Sequence, residues 1–187
     1  MKKILLSLAS LFLLVACSST LKQQDSQVRL DETTWINLPS PGLQQPLVRH
    51  QLLSIETDAG RQSFQALLKV NAAGLELVAL TPSGIRLFSL SYNKQGIYTE
   101  YQINHENLPP AAQVLADIML AYWPLESWKT HLPEGWSLKA TPVDRRLLNA
   151  EGDTLVTIDL HQEKNRSEPY RLTHHGFGYQ LHIKNLD

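Results

Sequence analysis

An α+β fold, a half-open antiparallel β-barrel of about ten or eleven short strands covered by short helices, is predicted by three features of the sequence. Apolar and polar residues alternate with period two through most of residues 50–103 and again through 136–184, the spacing of strands with one buried face. Between the runs stand turn-forming clusters such as Asp58-Ala59-Gly60, Ala72-Ala73-Gly74, Pro82-Ser83-Gly84 and Glu151-Gly152-Asp153, short enough to make successive strands antiparallel neighbours. Midway, LPPAAQVLADIMLAYWPL at residues 108–125 abandons that period for helical spacing. A flat sheet of this length leaves exposed edges and a bare apolar face. Curling it around the helices relieves both.

The chain opens on Met1-Lys2-Lys3, followed by an apolar run from Ile4 to Val15. That run is shorter than the roughly 17–25 residues of a membrane-spanning helix and has the layout of a secretory signal. Cys17 is the only cysteine, so neither a disulfide nor a zinc cluster built on thiolates is available to it. Leu14-Val15-Ala16-Cys17 resembles the bacterial lipobox, in which the cysteine is acylated and the signal is cut before it; an ordinary signal peptide with an incidental cysteine is the alternative. The resemblance implies a signal peptide at 1–16, a lipidated Cys17 and attachment to a membrane through acyl chains, each buried methylene contributing about 0.8 kcal/mol. Ser18 stands where lipoproteins retained at the inner membrane of enteric-type bacteria carry Asp, which implies the periplasmic face of the outer membrane.

Of the 187 residues, 171 remain after residue 16, enough for one domain with a core. The full chain has 17 basic and 18 acidic residues; losing Lys2 and Lys3 leaves 15 against 18, a net charge of −3. With no basic stripe, that balance argues against a nucleic-acid partner. Residues 17–34 read as the lipidated cysteine and a flexible polar tether, and 35–187 as a single domain led in by the proline-rich WINLPSPGLQQP. Strands are expected at 50–57, 62–71 (Phe64, Ala66, Leu68 and Val70 on one face), 75–81, 85–92 and 97–103. Pro109-Pro110 and Pro124 bracket a helix, with Gln113 and Asp117 as its only wet edge, and LESWKTHL at 125–132 suits a second short one. Strands resume at 136–140, 143–149, 154–162, 169–174 and 179–184.

This order of elements resembles LolA and LolB, the carrier and receptor of lipoprotein localisation, over Phe64 to Leu132. LELVALTPSGIRLFSL, the helix after Pro110 and WPLESWKTHLPEGW carry the likeness. A closer similarity, over nearly the whole chain after the signal, is to a family of lipoproteins defined only as a domain of unknown function and often found near fatty-acid-synthase-like genes of the aryl-polyene type. Leu115 to Leu125 and Gly178 to Ile183 match its L-A-x-x-x-L-A-x-W-P-L and G-Y-x-L-x-I patterns. The resemblance implies an incomplete barrel with a hydrophobic cavity, a ligand of acyl, lipid or polyene type, and a periplasmic carrier protein as partner. The LolB receptor has an exposed hydrophobic residue in the turn equivalent to Pro82-Ser83-Gly84; here that turn holds Ser83, and Ile85 is expected in the next strand.

In this setting the inner face of the apolar helix, Leu115, Ile118, Met119 and Tyr122, is the candidate lining of an acyl cavity, with the helix as its lid. The same stripe fits a helix that plugs a filled barrel, in which case the protein is a docking lipoprotein of the envelope. Trp123, Trp128 and Trp136 suit packing at a helix–sheet seam. Arg145-Arg146 beside Asp144 reads as a solvated turn or edge. His174 and His175 are adjacent, so on a strand they face opposite ways and cannot chelate together. No H-E-x-x-H or G-x-S-x-G occurs. Neither a metal, a cofactor nor a catalytic centre is expected.

Overall fold

A computed structural model describes residues 22–24, 27–102, 109–163 and 166–186. The signal segment and Cys17 lie outside the described residues. The described residues form thirteen strands: β1 Lys22–Gln24, β2 Gln27–Arg29, β3 Trp35–Asn37, β4 Leu47–Thr57, β5 Gly60–Asn71, β6 Gly74–Leu80, β7 Arg86–Asn93, β8 Gly96–Tyr101, β9 Ser137–Ala140, β10 Asp144–Leu148, β11 Thr154–Glu163, β12 Arg166–His174 and β13 Tyr179–Asn185. Helix α1 spans Ala111–Tyr122, and a single 3₁₀ turn, Leu125–Trp128, follows it.

Eleven strands form one antiparallel sheet in the order β1-β8-β7-β6-β5-β4-β13-β12-β11-β10-β9. It is two meanders, β4–β8 and β9–β13, joined where the last strand pairs with β4 and sets Leu181 against Ile55 and Ile183 against Leu53. Among the described residues the edges β1 and β9 do not pair with each other, so the sheet is open and not a closed barrel. The architecture is strand-dominated, with one α-helix among the described residues where two short helices were expected.

The alternation read from the sequence sets the core. Phe64, Ala66, Leu68 and Val70 of β5 are buried, and across the sheet Leu68 pairs with Leu77, Leu77 with Leu90, and Val70 with Leu75. Two expectations are corrected at the ends of strands. Ile85 lies in the β6–β7 turn, where its carbonyl accepts from Thr81 N–H at 2.8 Å; it is 56% exposed, and β7 begins only at Arg86. The stretch taken as tether contains β2, which pairs with β3, and Val28 and Leu30 are buried in the core. Two apolar side chains among polar neighbours are too few to show a period, yet β2 packs against α1.

Every residue of α1 from Ala111 to Ala121 is buried. The apolar stripe therefore meets the sheet, and the edge read as wet is enclosed as well. Trp123 and Trp128 are fully buried at the end of the helix, in line with packing at the helix–sheet seam.

Candidate functional site

The prolines of residues 38–47 hold an extended strap across the C-terminal end of α1. Tyr92 O–H donates to the Pro39 carbonyl at 3.0 Å, Trp123 Nε1–H to that of Ser40 at 2.8 Å, and Leu43 N–H to that of Asn71 at 3.1 Å. Between this strap, the helix end (Tyr122, Trp123, Pro124, Ser127) and the strands β4 and β12 (Leu47, Arg49, Ser167, Glu168) opens a groove of about 690 Å³. That lies within the usual size of a small-molecule site, roughly 300–1,000 Å³. Leu43, Pro46, Leu47, Trp123 and Pro124 give it an apolar wall.

Its polar end is assembled from four segments distant in sequence. Leu47, Arg49, Gln51, Leu53 and Ile55 share one face of β4, the core face. Arg49 Nε donates to Glu168 Oε2 at 3.2 Å and its Nη2 to Oε1, a fork-on-carboxylate pair; their side chains are 14% and 7% exposed. Gln51 Nε2–H donates to the Tyr122 hydroxyl at 3.0 Å and to Asn185 Oδ1 at 2.9 Å. Burial pushes the Tyr122 phenol up to about 12. It stays protonated, as a donor, at any physiological pH.

A second polar cluster is sealed beneath α1. Asp117, the helix's one charge, accepts from Tyr179 O–H at 2.5 Å and from Gln113 Nε2–H at 3.2 Å. Burial raises its carboxyl to about 7 against the pull of those two hydrogen bonds. The His174 ring lies 5.1 Å from that of Tyr179 and 4.5 Å from that of Phe177, and its Nδ1 accepts from Phe177 N–H at 3.2 Å. Burial lowers His174 to about 4. At the far end of the helix Arg145 is a correction to the sequence reading. It faces the core opposite Ile158 and donates to the carbonyls of Ala121 and Trp123, closing the C-terminus of α1 with a cation. Only Arg146 is solvated, paired with Asp144.

Of the four candidate lining residues, Tyr122 borders the groove. Leu115 and Met119 are 0% exposed and Ile118 is 9% exposed, all within the packed core. Arg49 and Glu168 were missed, because the strands were read as starting at His50 and Pro169, each just inside the observed end. Among the described residues no group of three or more His, Cys, Asp or Glu is placed to hold a metal.

The profile of a family described as a protein of unknown function, DUF3261, matches residues 48–187. The chain belongs to the DUF3261 family. The match takes in α1, Arg49, Tyr122 and Glu168, and leaves the strap outside. No curated protein sequence matches this DUF3261 chain. Among solved structures it is similar to a crystal structure of a domain assigned as an outer membrane lipoprotein-sorting protein, from Vibrio parahaemolyticus. That similarity has 8% identity and a TM-score of 0.39, over 78% of this chain and 85% of that one.

Proposed function

We propose that this DUF3261 protein is a non-catalytic lipoprotein, held on the periplasmic face of the outer membrane by acylated Cys17, that binds an acyl-type amphiphile in the groove at the end of α1. The observation that carries the reading is the groove itself: about 690 Å³, open, with an apolar wall and one polar end. A chain laid along Leu43, Pro46 and Leu47 gains about 25 cal/mol per Å² of apolar surface removed from water, and the groove is available without unpacking the core. A soluble periplasmic carrier that delivers or collects the ligand is the partner this reading calls for.

A docking lipoprotein with a filled interior is the second reading, favoured by the burial of α1 from Ala111 to Ala121. Native mass spectrometry of the chain taken from its own envelope separates the two. The first expects a bound mass of acyl type that disappears in Leu47→Glu, which puts a charge in the apolar wall. An empty protein, with a second protein retained instead, sinks the first and leaves the second.

A further inference from the structure

Resting on that groove reading, we infer that the ligand's head is uncharged and oxygen-bearing, of the monoacylglycerol or fatty-alcohol class, and that the site discriminates against both fatty-acid anions and cationic heads. Three observations lead there.

Among the described residues lining the groove, Arg49 and Glu168 are the only charged side chains, and they pair with each other. The formal charges of these two cancel, and the cation that a carboxylate head would need is already engaged through both Nε and Nη2. A fatty-acid anion entering beside Arg49 brings a second carboxylate next to Glu168 in a poorly hydrated wall, where like charges repel strongly. A cationic head meets the converse obstacle, since Glu168 already has its cation.

The Tyr122 hydroxyl supplies what a neutral head requires. Gln51 Nε2–H donates to its oxygen at 3.0 Å, so the phenol is held as an acceptor on that side. Among the described residues none accepts its own proton, so the O–H is the donor left over at the polar end of the groove. An ester carbonyl or an alcohol oxygen fits it. Ser127 and Ser167 lie in the same lining and can serve the remaining hydroxyls. The fixed relay Asn185–Gln51–Tyr122 holds the phenol in place before the ligand arrives.

The test is competitive photolabelling of the full chain in single-phospholipid nanodiscs. Three probes of equal chain length carry a diazirine in the chain: a monoacylglycerol, a fatty acid and an alkyltrimethylammonium. Labelled peptides are identified by mass spectrometry. The expected result is labelling of the segments 40–49 and 122–127 by the monoacylglycerol, about tenfold above either charged probe. Tyr122→Phe, which removes only the donor, lowers monoacylglycerol labelling about tenfold and leaves the fatty acid unchanged. Glu168→Gln, which removes the carboxylate facing Arg49, raises fatty-acid labelling. Groove labelling by the fatty acid at or above the monoacylglycerol level, or a Tyr122→Phe protein indistinguishable from wild type, overturns the head-group assignment while the groove stands. If none of the probes labels these segments, the groove reading itself fails, and the assignment with it.

Discussion

Asp117 and His174 make opposite demands on the fold, and replacing Asp117 with asparagine uncovers the second. The Asp117 carboxyl titrates at about 7 in the folded protein and near 3.9 unfolded. Between those values the folded state holds a proton that the unfolded state has lost, so stability from this group is full below pH 4 and falls as pH rises to 7. Some three pH units at 1.36 kcal/mol each make about 4 kcal/mol. His174, at about 4 folded against about 6.5 unfolded, runs the other way. The unfolded state is the one that binds its proton, so stability rises by about 3 kcal/mol between pH 4 and 6.5.

The wild type is therefore expected to be nearly level across pH 4–6.5, because the two slopes cancel. Asp117→Asn keeps an oxygen for Tyr179 and an amide that can pair with a flipped Gln113, but never ionises. Its stability should climb with pH through that interval and exceed wild type by about 4 kcal/mol at pH 8. Urea unfolding followed by the fluorescence of buried Trp123 and Trp128 measures both curves. Two parallel pH profiles would refute the reasoning, since the Asp117 term would then be absent.

Three further changes test the packing. Met119→Ala hollows a fully buried site and should cost about 2–5 kcal/mol by urea midpoint. Arg145→Met strips two charge-assisted hydrogen bonds from the end of α1 and should cost about 3 kcal/mol, with the near-ultraviolet signal of the neighbouring tryptophans altered. A Cβ on Gly42 would stand 2.4 Å from the Ala72 carbonyl oxygen. Gly42→Ala should therefore push the strap off the β5–β6 turn, costing about 1–3 kcal/mol and lowering photolabelling of the groove.

The central strands could be read from the sequence because each carries its own evidence. From Phe64 to Val70 every second residue is apolar, with Leu67 alone breaking the polar face, and Ala72-Ala73-Gly74 ends the run, so face and boundary are both local facts. The groove is not local. Arg49 and Glu168 stand 119 residues apart, and neither has a neighbour in sequence that marks it as part of a site. Pro169 hid the start of β12, since a proline in a strand suggests an end; here it pairs with Leu160 just past a register shift. Asp117 was visible as the one charge in an apolar helix, but its partner Tyr179 arrives 62 residues later. Periodicity says that a helix has a less apolar edge and cannot say that a further wall will cover it. Arg145 shows the same limit: alternation places it opposite Arg146, and only the helix end above explains why the buried member is a cation.

Whether α1 is a lid or a wall turns on magnitudes. Swinging it out would expose Leu115, Ile118, Met119 and Leu120, each worth about 1.5–3 kcal/mol, so roughly 6–12 kcal/mol in all. The Arg145 bonds and the Asp117 cluster would break as well. An acyl chain burying a dozen methylenes returns about 10 kcal/mol, which opening would consume. A chain in the groove keeps that gain. Ligand binding should thus leave the slow amide exchange of residues 113–121 unchanged while protecting the strap at 42–47, measured by hydrogen–deuterium exchange with and without monoacylglycerol. Faster exchange in the helix on binding would mean that the chain goes beneath it, and that Leu115, Ile118 and Met119 are the lining.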